Sequence, residues 1–114
     1  MPSPSAAIEQ LVEVLGEEEV RALVELYLDH THAELQRLSS YPLEKQIMTV
    51  HALKGSSAQV GARLFGAQCR AVETRLRETR ELLTASELAS LQNEFATASG
   101  TFRAWLQSPR RGSG

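Results

Sequence analysis

Apolar residues in this chain recur at intervals of three and four, and no stretch alternates apolar with polar over a strand's length. That period belongs to the helix, so the chain is confined to an all-α fold. Pro and Gly punctuate it at few places: Pro2 and Pro4, Gly16, Pro42, the segment Gly55 to Gly66, Gly100, and the tail from Pro109. The intervals between them predict the helices. A short one over about 6–15 stops at Gly16, and a long one over about 17–39 breaks at Ser39-Ser40-Tyr41-Pro42. A third covers about 43–60, and a fourth about 62–83, after Gly61.

The second helix carries Val20, Leu23, Val24, Tyr27, Leu28, Leu35 and Leu38 on one stripe, with Glu17, Glu18 and Glu19 at the positive end of its dipole. Thr84 and Glu87 read as a capping box that opens a last helix. Its residues Leu88, Leu91, Phe95, Ala98, Phe102 and Trp105 have the spacing of an antiparallel seam. Gly100 weakens that helix by about 1 kcal/mol relative to Ala, unless a close helix contact needs it. The expected architecture is an antiparallel four-helix bundle with a short extra N-terminal helix. Residues 1–107 are read as the domain and 108–114 as a flexible tail or linker.

Composition narrows the function classes. The 114 residues suffice for one modest core, and 42% hydrophobic with 23% charged residues is an ordinary globular mix. A net charge of −2 argues against a nucleic-acid binder, and the pair Arg110-Arg111 is too small to reverse that. Cys69 is alone, which excludes an internal disulfide and suits a reducing compartment. No apolar run approaches the roughly 18 to 20 residues of a membrane span, and the start Met1-Pro2-Ser3-Pro4-Ser5 lacks a secretory pattern. A soluble cytoplasmic protein, monomeric when isolated, is expected.

The stretch from Val50 to Ala62 stands apart. On a helix, Val50, Leu53, Ser57 and Val60 cluster on one side, and His51, Lys54, Gly55 and Ala58 cluster about a third of a turn away, on a flank open to solvent. A His with Lys at i+3 and Gly at i+4 has a chemical use. The imidazole can take a phosphoryl group, the ammonium can neutralise its oxygens, and the missing side chain lets another protein approach. Gly55-Ser56-Ser57 is also a poor helix-forming run for a bundle with nothing else to do. Spacing alone leaves a second reading open, an exposed His beside a solvated Lys.

The string His51-Ala52-Leu53-Lys54-Gly55-Ser56-Ser57, followed by Gly61-Ala62 and by Cys69-x-x-Val72-Glu73, closely resembles the signature of histidine phosphotransfer (HPt) domains. That signature reads H-x-L-K-G-S-x, then G-A, then C-x-x-L-E, with the phosphorylated His first; here Val72 stands where Leu is usual. The resemblance implies an antiparallel four-helix bundle and these roles. His51 is the phospho-acceptor, Lys54 supports the phosphoryl group, and Gly55 forms the close-approach surface. Glu73 matches the position whose Glu or Gln holds the imidazole Nδ1 proton, leaving Nε2 as nucleophile. The alternative reading of Glu73 is a solvated surface carboxylate. Arg70 and Arg77 share its stripe, and either adds charge near the phosphate or faces solvent. Gln59 either approaches His51 or caps the helix end. Met48, Ala58 and Arg63, around His51, are the side chains expected to set partner choice.

The implied partners are a response-regulator receiver domain and a histidine kinase or hybrid kinase. No cofactor is expected in the chain itself, and Mg²⁺ is expected in the receiver. The chain lacks a Gly-rich nucleotide loop, so it reads as a carrier and substrate, not an enzyme that phosphorylates itself. One rival is a non-catalytic helical interaction module. Another, the dimerisation domain of a sensor kinase, usually follows its His with an acidic residue and has Thr or Asn at i+4, where this chain has Ala52 and Gly55. A start at Met1-Pro2 close to His51 favours a stand-alone module or the first domain of a chemotaxis-type kinase, while the KGSS and GA elements look more like the general HPt pattern. His30 and His32, two apart, point to different faces and cannot jointly hold a metal. Cys69 and Trp105 read as core.

Overall fold

Ser5 opens the first helix. Its hydroxyl accepts a hydrogen bond from the Ile8 amide and donates one to the Val60 carbonyl at 2.9 Å, so a single side chain caps one helix and ties it to the end of another. The structure, a computed structural model, describes residues 5–109. Helix α1 spans Ala6–Leu15, α2 Glu17–Arg37, α3 Leu43–Val60, α4 Arg63–Thr79 and α5 Ala85–Gln107, with a 3-10 turn at Leu38–Ser40. The chain is all-helical among the described residues. None of these helices is long and apolar enough to cross a membrane.

The breaks follow local chemistry. Gly16 adopts φ 88° between α1 and α2, and Gly61 adopts φ 77° after α3. There the Gly61 amide bonds the Ala58 carbonyl and the Ala62 amide the Ser57 carbonyl, which closes α3 and turns the chain directly into α4. The capping box of Thr84 and Glu87 opens α5, with both of its reciprocal bonds present.

Two boundaries differ from those the sequence predicts. Helix α2 stops at Arg37 rather than Ser39, because its last turn tightens into the 3-10 turn, where the Ser40 hydroxyl bonds the Arg37 carbonyl. Helix α4 ends at Thr79 rather than Leu83. Arg80 enters the left-handed region at φ 58°, and tertiary bonds then claim the backbone that would have continued the helix. The Arg75 guanidinium pairs with Glu87 at 2.5 and 2.6 Å and reaches the Leu82 carbonyl at 3.0 Å. Buried Gln46 accepts from the Leu83 amide at 2.9 Å and donates to the Leu38 carbonyl at 3.2 Å, joining both connections at that end.

The core lies between α2, α3, α4 and α5. Val20, Val24 and Leu28 of α2, Val50 and Leu53 of α3, Phe65 and Leu76 of α4, and Leu91 and Trp105 of α5 are all buried in one cluster. Leu23, expected on the same stripe, is half-buried. Tyr27 meets Phe95 and Phe102 edge-on at 6.2 and 5.9 Å, and Phe65 lies 5.4 Å from Phe95. Buried Arg21 lies against Trp105 and donates to the Leu106 and Ser108 carbonyls at 2.6 and 3.0 Å, satisfying orphan groups at the end of α5. Of the expected tail, residues from Arg110 onward lie outside the described part.

Helices α3 and α4 pack against each other more extensively than any other pair. The surface they share carries the polar cluster.

Candidate functional site

Val50, Leu53, Ser57 and Val60 of α3 face the core and are buried, while His51, Gly55 and Ala58 lie on the exposed flank. The Tyr27 hydroxyl meets the Ser57 hydroxyl at 2.8 Å inside the protein. Turning α3 about its axis would strand both groups without partners, so this bond helps to fix which side of α3 meets solvent.

His51 keeps 59% of its side chain exposed, but one edge of the ring is held. Its Nδ1 lies 2.9 Å from Oε2 of Glu73, on the facing side of α4. The Glu73 side chain is only 9% exposed and gathers two cations as well. Arg77 donates from Nε to Oε2 at 2.9 Å, one helical turn along α4. Lys54 brings Nζ to 2.8 Å from Oε1, a close ion pair. Burial pushes the Glu73 carboxyl up, but Lys54, Arg77 and His51 together outweigh it and hold the group at about 2. Glu73 is therefore a carboxylate at neutral pH. A carboxylate can only accept, so the proton of the 2.9 Å bond sits on Nδ1, and a neutral His51 ring carries its lone pair on Nε2.

The remaining residues singled out in the sequence fall around this cluster without joining it. Gly55 is exposed, and a Cβ built there would meet nothing within 4 Å. Met48 is exposed, as are Ala58 and Gln59 on α3 and Arg63 and Arg70 on α4. Gln59 lines a recess with Leu23, Leu26 and Ser56, about 12 Å along the helix from His51. No hydrogen bond or ion pair joins Arg70 to the cluster, so of the two arginines on the Glu73 stripe the structure brings in Arg77 alone.

Cys69 is fully buried, and burial followed by the nearby Glu73 charge pushes its thiol up to about 12, which leaves no reactive thiolate. His30 and His32 are both exposed, and no group of three His, Cys, Asp or Glu is placed to hold a metal among the described residues.

Two parts of the arrangement were not legible in the sequence. The contact of Lys54 with Glu73 crosses from α3 to α4, and no local spacing encodes it. The pairing of Arg77 with Glu73 was available as an i,i+4 spacing, but the stripe alone did not separate it from Arg70.

No curated protein and no solved structure matches the chain. The family model of the Hpt domain matches residues 22–101. That match covers well over half of the chain, runs from α2 into α5 and contains every member of the cluster: the chain belongs to the Hpt domain family.

Proposed function

We propose that this chain carries a phosphoryl group on Nε2 of His51 and exchanges it with an aspartate of a response-regulator receiver domain. Hpt domains are phosphocarrier modules of two-component phosphorelays. The observation that carries the reading is the 2.9 Å bond between His51 Nδ1 and a Glu73 carboxylate held ionised, on a ring that is otherwise open to solvent.

In the transfer, the Nε2 lone pair attacks the phosphorus of an aspartyl phosphate. The N–P bond forms as the P–O bond to the aspartyl oxygen breaks, and the electron pair leaves with the aspartate carboxylate. The ring keeps its Nδ1 proton and becomes positive, and Glu73 faces that charge. The reverse sequence returns the group. The receiver is expected to supply the acceptor Asp and Mg²⁺, so this chain contributes positioning and charge.

An uncharged strip of α3 beside His51 supports a protein partner. Met48, Ala52, Gly55 and Gln59 are exposed along it, and Leu26 of α2 stands 67% exposed nearby. In this reading, the four long helices α2 to α5 are the family's antiparallel bundle, with α1 an addition. A cytoplasmic location follows from the role, and the supplier of the group is a histidine kinase or hybrid kinase.

The test is phosphoryl transfer to the purified chain from phosphorylated receiver domains. Acid-labile, base-stable phosphate is expected on the wild type and absent from His51→Gln. Equal labelling of the two, or none from a broad panel of receivers, would overturn the proposal in favour of a helical interaction module.

A further inference from the structure

Two cations serve one carboxylate in this cluster, and they do so on different oxygens. Arg77 and His51 share Oε2 of Glu73, at 2.9 Å each, while Lys54 approaches Oε1 at 2.8 Å. Lys54 can therefore leave Oε1 with both bonds to Oε2 intact. It sits three residues after His51 on the same exposed side of α3, within reach of a group on Nε2.

The charges point the same way. With a neutral ring, Glu73, Lys54 and Arg77 leave the cluster one positive charge in excess. A phosphoryl group adds about two negative charges, and the ring gains one positive charge as the N–P bond forms. The loaded cluster is then close to neutral. If Lys54 were the one cation present, its departure would leave a Glu73 side chain only 9% exposed without a cation beside it.

We propose that Arg77 is a positioning residue: it keeps Glu73 paired and on His51 Nδ1, which releases Lys54 to move from Oε1 to the oxygens of the incoming phosphoryl group. The inference rests on the phosphoryl-carrier reading given above. Arg77 touches neither the phosphoryl group nor the reacting nitrogen; it acts through Glu73. Its own side chain is 54% exposed, so its replacement leaves the core untouched.

The experiment is a double-mutant cycle on the full chain with Lys54→Gln and Arg77→Gln, and with Arg77→Lys as the conservative variant. Potassium phosphoramidate serves as a small donor that needs no protein partner. Arg77→Gln is expected to slow labelling of His51 about three- to tenfold, the scale of one partly exposed charge–phosphate contact, and Arg77→Lys to restore most of it. In the Lys54→Gln background the further loss from Arg77→Gln is expected to be smaller than in the wild type, because the cation it would have released is already gone and only the hold of Glu73 on Nδ1 remains to be lost. Independent effects that multiply would overturn the proposal.

A second readout needs no phosphorylation. The His51 tautomer, followed by ¹⁵N NMR, and the Glu73 carboxyl, followed by ¹³C NMR, should persist in Lys54→Gln and change when Arg77→Gln is added. No change on that addition would also overturn it. Should the wild type take no label from phosphoramidate or from any receiver while these spectra behave as expected, the carrier reading fails and the Arg77 arrangement stands.

Discussion

Gly55 and Gly100 form a matched pair that separates folding from function. Both lie inside long helices, both are exposed, and a Cβ at either would meet nothing within 4 Å. Neither glycine is needed for close packing, so the condition that would have excused Gly100 is not met. Replacing either by Ala should stabilise the protein by about 1 kcal/mol through helix propensity alone. An unfolding entropy of about 2.1 cal/mol/K per residue gives about 0.24 kcal/mol/K for this chain, so each change should raise Tm by about 4 °C. The sites lie on different helices, and the double variant should gain roughly twice as much. Calorimetry and urea titration measure this directly. Function should split the pair. Gly55→Glu keeps a good helix former but puts a charged side chain one turn from His51, on the uncharged strip. It should slow transfer from a phosphorylated receiver at least tenfold while labelling by phosphoramidate stays within about twofold, since a small donor needs no docking surface. Gly100→Ala should leave both rates unchanged. The reasoning is refuted if Gly55→Ala destabilises the fold, which would mean the bundle needs that glycine, or if Gly55→Glu accepts from receivers at the wild-type rate.

The cluster also fixes an acid dependence. The Glu73 carboxyl lies at about 2 in the folded protein, below its ordinary value of 4.5, so its contribution to stability is fully present above about 4.5 and is lost as pH falls through that range toward 2. Urea unfolding of wild type and Glu73→Gln should therefore differ most near neutral pH and converge on acidification; a constant difference would contradict the ion-pair account. Gly61→Ala should destabilise, because φ is 77° there and the new Cβ would meet the Ser5 hydroxyl oxygen at 2.5 Å. The backbone penalty alone is about 1–2 kcal/mol, a fall in Tm of about 4–8 °C, and an unchanged Tm would mean the turn relaxes freely.

Much of the fold was readable because its boundaries are written locally. Gly16, Pro42, Gly61 and the Thr84-Glu87 box each act on their own neighbours, and α1 and α3 begin and end where those signals place them. The end of α4 was not readable, because Gln46 of α3 and Glu87 of α5, the partner of Arg75, fix the chain beyond it from other helices. Arg75 carries no mark in the sequence that sets it apart from Arg70 or Arg77, and a buried Gln46 looks like any other glutamine of an exposed helix. The choice between Arg70 and Arg77 did leave a trace in helix geometry. Side chains lean toward the N-terminus of their helix, so Arg77 reaches back over Glu73 while Arg70 leans away from it.

The partner of His51 follows from the turn between α3 and α4 more than from either helix alone. Gly61 and Ala62 are the whole connection, so α4 must return along α3, and residues at similar distances from the turn come opposite each other. His51 lies ten residues before Gly61 and Glu73 twelve after it, about 15 and 18 Å along the two helices. The hairpin thus brings that carboxylate level with that imidazole, and Lys54, one turn nearer to Gly61, falls within reach of the other carboxylate oxygen. A left-handed glycine ten residues away from His51 in sequence therefore sets the register of the site. The motif His-x-x-Lys supplies the reactive groups; the tight turn after it supplies the acceptor that fixes their protons and charges.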